Sequence, residues 1–410
     1  MMKILHTSDW HLGKRLENFS RLEEQQAVMQ EICEIADREE ADIVVVAGDL
    51  FDTFNPPTEA IDLLYKTLKR LTANGYRPVI AIAGNHDSPD RIEAPDPLAR
   101  ECGIIFAGYP NVQVSSFTLE TGLKVLKTDE GFLEIALPGS NIPLRILITP
   151  YASEYRLRTF LGEENSEDEL RALLGRRWQS LADRYCDKRG VNILLSHLFM
   201  IRKGDVPPEE PEEEKPILHV GGAQAIYTEN IPSQIQYTAL GHLHRMQRVD
   251  ASFSPACYSG SPLSYSFAEA NQQKYLLLVE VVPDQTASVR EIPLACGKQL
   301  LRKKAQGMED ALEWLSKNQN ALVELTLVTD TYLTAQERRK LQTAPDGIVA
   351  IIPELSRVEN LFHPQQKQID LNQNMEGLFR DYFKYTKGQE PNAEMIKLFQ
   401  EILAEEEEEK

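Results

Sequence analysis

Apolar, β-branched runs alternate with amphipathic stretches through the first hundred residues. The segments 3–7 (KILHT), 42–47 (DIVVVA) and 78–83 (PVIAIA) read as strands. The second and third are apolar almost throughout, as expected of strands buried on both faces. Between the first two, Ser20 and Glu23 have the spacing of a capping box and open a predicted helix through about residue 39, with Leu22, Val28, Ile32 and Ile35 toward a core. Pro56 and Pro57 start a second helix, which carries Ile61, Leu64, Leu68 and Leu71 and stops near Asn74-Gly75. A third helix is predicted over 89–101. The β-α-β-α-β order predicts a layered α/β domain.

The pattern then changes. Residues 104–107, 123–127, 132–137 and 144–149 read as short strands of a second, mixed sheet, followed by a helix over 167–186 and strands at 191–196, 237–240 and 275–282. The Pro/Glu-rich stretch 205–216 is a loop between sheet strands. A domain of residues 1–295 is therefore expected, then a small α+β unit at 296–353 with a helix at 308–318, a strand at 321–328, a helix at 334–342 and a strand at 347–352. The remainder, 354–410, is polar, with helices at 373–385 and 391–404. There Met375, Leu378, Phe379, Tyr382 and Phe383 recur at helical spacing. That stripe fits docking on a partner, or packing back on the unit before it.

Composition narrows the class. A chain of 410 residues suits two or three domains. No apolar run approaches the length of a bilayer span, and residues 1–5 enter a strand without the features of a secretory signal. Five scattered cysteines with no CxxC pair predict reduced thiols in a cytoplasmic protein, not a zinc-thiolate site. The net charge of −19 is a poor match for a free-standing nucleic-acid binder. Much of it lies in the acidic runs 209–214 and 405–409, while Lys298, Arg302, Lys303 and Lys304 form a basic cluster. The balance weakens DNA binding without excluding it, and points to a partner that supplies DNA affinity. The absence of a Gly-rich phosphate loop followed by Lys argues against a nucleotide-driven motor.

The chemistry sits at strand ends. Asp9-x-His11 follows the first strand, and residues i and i+2 of extended chain point to one side, so one cation can take both. Asp49 follows the second strand, where a carboxylate is costly unless paired or metal-bound; its two oxygens can bridge two ions. Asn85, His86 and Asp87 follow the third, and the Asn oxygen is a hard ligand suited to magnesium or manganese. His242-x-His244 repeats the i, i+2 logic. His197 alone reads as a core histidine; the recurrence of the pattern at five strand ends makes it a ligand. Two ions about 3.5–4 Å apart can activate water and hold both oxygens of a phosphoester in displacement. His86 is left to contact substrate, with Asp87 expected to orient its imidazole.

The motifs SDWHLG (8–13), GDLFD (48–52), AGNHDS (83–88), SHL (196–198) and GHLH (241–244) resemble, in order and spacing, the calcineurin-like metallophosphoesterase superfamily. SDWHLG, GDLFD and YSGSPLSYSF (258–267) are most similar to its bacterial DNA-repair nucleases. The resemblance implies a four-layer α/β/β/α sandwich with a DNA-facing cap at 296–353 and a helical, partner-binding C-terminal tail. It implies Asp9, His11, Asp49 and His244 on one ion, Asp49, Asn85, His197 and His242 on the other, and His86 at the scissile phosphate. It further implies manganese, a homodimer through helices at about 57–73 and 89–101, a coiled-coil ATPase partner, and exonuclease and endonuclease action on DNA in repair, recombination and replication. Asp52 stands where many relatives have His; bracing the metal shell is the role open to it. Two other readings remain compatible with the residues: a phosphatase or cyclic-nucleotide phosphodiesterase on the same core, and a non-catalytic adaptor with structural metals. The phosphatase pattern GDxxDRG and GNHE is not met, since Thr53 follows Asp52 and Asp87 follows His86.

Overall fold

The computed structural model describes residues 1–159, 166–205, 225–249, 253–329, 333, 339–341, 347–355, 375–387, 391, 395–396 and 399. The acidic runs, most of the helix expected at 334–342 and most of that at 391–404 lie outside the described residues.

The first sheet grows from β1 (Met2–Thr7), with α1 (Leu22–Arg38), β2 (Ile43–Val46), α2 (Thr58–Leu71), β3 (Val79–Ile82) and β4 (Ile104–Ala107) following in sequence. The four strands are parallel neighbours. The second sheet contains β5 (Lys124–Asp129), β6 (Phe132–Ala136), β7 (Leu144–Thr149), then after α3 (Ser166–Tyr185) β8 (Val191–His197), β9 (Tyr237–Gly241), β10 (Gln247–Val249) and β11 (Ala256–Tyr258). The chain returns to the first sheet with β12 (Tyr275–Val281), antiparallel to β1, and β13 (Ser288–Pro293). The orders are β13-β12-β1-β2-β3-β4 and β10-β11-β9-β8-β7-β6-β5.

The two sheets face each other, and continuous apolar strands supply both faces of each. Ile43 and Val45 point with Ile4, Ile80 and Ile82 into the core shared with Ile146, Ile193 and Leu195 of the second sheet. Their neighbours Val44 and Val46 point outward, against Val28 and Ile32 of α1 and Leu64 and Leu68 of α2. On the far side, Leu147 and Leu194 pack against Leu174 and Trp178 of α3. The layers are thus helix, sheet, sheet, helix.

Two local expectations are corrected. Ser20 does not cap α1: Phe19–Ser20 pairs with Arg15–Leu16 in a small hairpin, and the residue at the helix start is Arg21. Arg21 is buried and its charge is met by Glu24 at 2.7 Å. The helix expected at 89–101 is two short helices, Pro89–Glu93 and Asp96–Ala99. Pro95 and Pro97 lack the N–H groups that would continue the ladder.

Beyond β13 lies a three-stranded sheet, Gln299–Gln306, Ala321–Thr329 and Ile348–Leu355, with the helix Gly307–Lys317. Its own core is Ala305, Leu315, Val323, Leu325 and Leu327. Leu300 and Leu322 also pack with Leu16 and Phe267, so this sheet rests on the loops beside the first strand end. Three cations of the basic cluster are paired: Arg302 with Glu324 at 2.7 Å, Lys303 with Asp310 at 3.1 Å and Lys304 with Glu354 at 2.7 Å. The chain divides into two compact units, Met1–Val328 with Leu333–Glu354, and Thr329–Tyr332 with Leu355–Lys410. In the second, the helix Met375–Lys387 presents Phe379, whose ring stacks on Phe399 at 4.2 Å.

Candidate metal centre

The carboxyl ends of the parallel strands converge on one edge. Register aligns Thr7 with Val46 and Val46 with Ala81 in the first sheet, and Thr149 with Ser196 and His197 with Gly241 in the second. The loops that follow are zippered by main-chain bonds: Asp9 N–H donates to Gly48 O (2.9 Å), His11 N–H to Asp49 O (3.0 Å) and Leu12 N–H to Leu50 O (3.0 Å).

This zipper holds a strained backbone. Asp9 (φ 52°), His11 (φ 43°), Asp49 (φ 49°) and His242 (φ 104°) all lie in the left-handed region. Such residues cost on the order of 1–3 kcal/mol each and persist where the surroundings over-determine them. The reversal turns these side chains inward toward one another. Two glycines make room: a Cβ on Gly84 would lie 2.1 Å from Asp49 Oδ1, and one on Gly48 (φ +91°) would lie 2.2 Å from His197 Nδ1.

The enclosed groups form overlapping clusters. Ligand atoms of Asp9, His11 and His244 lie within 4.8 Å of one another, as do those of Asp9, Asp49 and His197. His11 Nε2 stands 3.0 Å from His244 Nε2 and 3.6 Å from Asp49 Oδ2, and His197 Nε2 lies 3.4 Å from that same oxygen. Asn85 Oδ1 is 3.0 Å from both His197 Nε2 and His242 Nδ1. Asp49 therefore stands between two groups of donors. Asp9, His11, Asp49, His197, His242 and His244 are buried; Asn85 and His86 are half-buried and mark the mouth.

Burial lowers His11 and His242 to about 3, which keeps their lone pairs free. His197 differs: burial opposes its charge, but Asp49 raises it to about 9. Asp49 in turn is held well below the ordinary carboxylate range, burial being outweighed by His197. Imidazole ligates only as the neutral form, so a cation taken at His197 would displace a proton.

The groups around the centre orient it. His197 Nδ1–H donates to Ala47 O (2.7 Å), which aims Nε2 inward. Asp52 Oδ1 lies 3.6 Å from His11 Nδ1 and accepts from Lys14 Nζ at 2.9 Å, which suits the bracing role. Glu269 Oε1 lies 3.6 Å from His244 Nδ1. It is buried, paired with Lys274, and accepts from Tyr265 N–H (2.9 Å); Lys274 Nζ also donates to His244 O (3.0 Å). Arg156 clamps the loop of Asn85 by donating to Gly84 O (2.7 Å), Asn85 O (3.3 Å) and Asp87 O (2.8 Å). Ser8 Oγ donates to Asp9 Oδ2 (2.5 Å). The sequence alone does not point to Glu269, Lys274, Arg156 or Ser8 in these roles. Glu269 lies just past the YSGSPLSYSF motif, the one signal in its vicinity.

The expected role of Asp87 is corrected. Its carboxylate turns away from His86 and accepts three main-chain N–H groups, from Gly84 (2.8 Å), Leu50 (3.0 Å) and Phe51 (2.9 Å). It ties two site loops together, and burial pushes its carboxyl up to about 6.

The donor set fits divalent ions: buried carboxylates, an amide oxygen and neutral imidazoles, with no thiolate, match hard cations. His242 Nε2, buried without a hydrogen-bond partner among the described residues, is consistent with a site whose donors are kept for a ligand.

Strand-end hard ligands on a double-sheet sandwich define a metal-dependent phosphoester hydrolase. Residues 2–246 match the calcineurin-like phosphoesterase family, and the chain belongs to it. It is 36% identical to the D subunit of the SbcCD nuclease from Bacillus subtilis, over 100% of this chain and 99% of that one. The proteins of the same name from Rhodobacter capsulatus and Staphylococcus saprophyticus are 32% and 31% identical, over 75% and 73% of this chain and 72% and 70% of theirs. No helix among the described residues is long and apolar enough to cross a membrane.

Proposed function

We propose that this chain is the nuclease subunit of a cytoplasmic DNA-repair complex. It hydrolyses phosphodiester bonds at duplex ends as an exonuclease, and in single strands and hairpins as an endonuclease. The single observation that carries the reading is the position of Asp49, whose one oxygen lies 3.6 Å from His11 Nε2 and 3.4 Å from His197 Nε2. A carboxylate set between two donor groups would serve two ions at once, and two adjacent ions would supply the clamp on attacking and leaving oxygens that phosphoester hydrolysis uses.

In this reading Asp9, His11, Asp49 and His244 hold one ion, and Asp49, Asn85, His197 and His242 the other, manganese being favoured over magnesium. Two such ions supply activation of the attacking water and neutralisation of the phosphodiester. The protein does the rest. His86 Nδ1–H donates to Asp52 O (2.8 Å), which leaves Nε2 for the substrate. With Nε2 protonated as well, the imidazolium would meet negative charge on the phosphate or give its Nε2 proton to the leaving oxygen. Asp87 and Arg156 keep that loop in place and are positioning residues.

Residues 1–295 form the nuclease domain in this proposal, 296–353 a cap facing DNA and 354–410 the segment that binds the coiled-coil ATPase SbcC. A 260 Å³ cavity lined by His244, Lys14, Arg15 and the cap residue Glu324 supports a cap edge at the site. The paired charges of Arg302, Lys303 and Lys304 leave SbcC as the main source of DNA affinity. A homodimer through the 57–73 and 89–101 surfaces completes the assembly.

The test is cleavage of linear duplex DNA against a small phosphomonoester, with manganese or a chelator, with and without SbcC. Manganese-dependent duplex degradation that exceeds monoester turnover is expected, enhanced by SbcC. Monoester turnover with intact DNA would reject the nuclease reading in favour of a phosphatase.

A further inference from the structure

One more strand end reaches the centre. β7 runs beside β8, and two residues past its end stands Tyr151. Its N–H donates to Ala83 O (3.0 Å), which pins it to the loop of Asn85 and His86. The ring lies 6.4 Å from that of His242 at an interplanar angle of 29°, and 6.5 Å from that of His197 at 73°. The Arg156 guanidinium sits over the Tyr151 ring, 5.0 Å from its centroid, and is itself fixed by three carbonyls.

With its ring covered by Arg156, Tyr151 has its hydroxyl left to use. Buried tyrosines elsewhere in the chain spend theirs internally: Tyr258 on Leu198 O, Tyr265 on Trp10 O, Tyr237 on His6. Tyr151 is half-buried, and its hydroxyl makes no hydrogen bond among the described residues. A neutral donor fixed beside a phosphoester centre, with no acceptor of its own, matches the geometry of a group that meets charge developing on the substrate.

We propose that Tyr151 is a substrate-contact residue, its hydroxyl donating to a non-bridging oxygen of the scissile phosphodiester on the His197–His242 flank. His86 packs instead against His11, with rings 4.9 Å apart, so the two side chains approach the phosphate from different flanks. The inference rests on the phosphodiesterase reading of this same centre.

The test compares Tyr151→Phe and Tyr151→Ala with the unaltered full chain on bis(p-nitrophenyl) phosphate and on linear DNA. Metal content per chain and the thermal midpoint are measured alongside. Tyr151→Phe keeps the ring and its contact with Arg156 and loses only the hydroxyl. The expected result is a fall in kcat on the order of 10²-fold, on the small diester as on DNA, with KM for the small diester, metal content and midpoint unchanged. A kcat within twofold of the parent, or a fall accompanied by loss of metal or of folding, overturns the contact. If the parent cleaves the small diester and leaves DNA intact, the nuclease reading fails while the Tyr151 comparison still stands.

Discussion

The imidazole of His86 is held by the main-chain carbonyl of Asp52, its Nδ1 donating at 2.8 Å across 34 residues of sequence. Its neighbour Asp87 spends both carboxylate oxygens on N–H groups of the two loops flanking the centre. The residue next to the proposed catalytic histidine is thus a fastener.

Asp87→Asn should show this. An amide offers one oxygen where three N–H groups converge and turns a second donor toward them. Each buried donor left unmet costs about 1–3 kcal/mol, so unfolding free energy should fall by about 2–4 kcal/mol. Urea denaturation of the metal-free protein measures it; an unchanged midpoint would contradict the fastening role.

His86→Ala and Asp49→Ala should separate contact from ligation. The first should lower kcat by about 10²–10⁴-fold and retain two ions per chain. The second should remove both ions, because its carboxylate is shared. Elemental analysis of the purified variants decides it: one ion held at full occupancy in Asp49→Ala would defeat the bridge.

Glu269→Gln should weaken metal binding through His244. A carboxylate behind a ligating imidazole fixes its orientation, and its loss typically costs about 10–100-fold in affinity. Competition with a fluorescent chelator measures the change. Lys274 loses its partner in this variant, so the double change with Lys274→Met controls for the buried charge; parental affinity in Glu269→Gln would remove Glu269 from the site.

His6 should steepen acid unfolding. Burial between the sheets lowers it from 6.5 to about 3, against a smaller opposing effect of the Leu240 backbone. Below pH 6.5 the unfolded chain takes a proton that the folded chain refuses until about pH 3, so stability falls as pH falls across that window. The slope is about 1.4 kcal/mol per pH unit for one proton. Denaturant midpoints from pH 6 to 4.5, in chelator, should decline less steeply for His6→Gln; parallel slopes would refute the assignment.

The ligand loops are legible in the sequence because a hard ligand directly after an apolar strand is costly unless something binds it, and the strands themselves are continuously apolar. The supporting groups are not. Glu269 and Lys274 are ordinary surface types whose link to the site runs through His244, 25 and 30 residues away, and Arg156 acts on carbonyls, which carry no residue identity. At Asp87, adjacency in sequence is not adjacency of side chains; the turn that brings Asp87 N–H back to Gly84 O (3.3 Å) sends its carboxylate inward, away from His86. β10 and β11 have three residues each, below the length at which periodicity speaks. β13 is an edge strand with the adjacent charges Arg290 and Glu291 at its middle, and it lacks the continuous apolar run of its neighbour β12. The helix predicted over 89–101 fails at Pro95 and Pro97, where the missing N–H groups outweigh the apolar spacing.

Asp9, His11, Asp49 and Asn85 ride on one sheet, and His197, His242 and His244 on the other. Ions held between them would act as rivets through the seam of the sandwich. Sliding one sheet over its mate would change the spacing of those donors and so how well they could seat an ion.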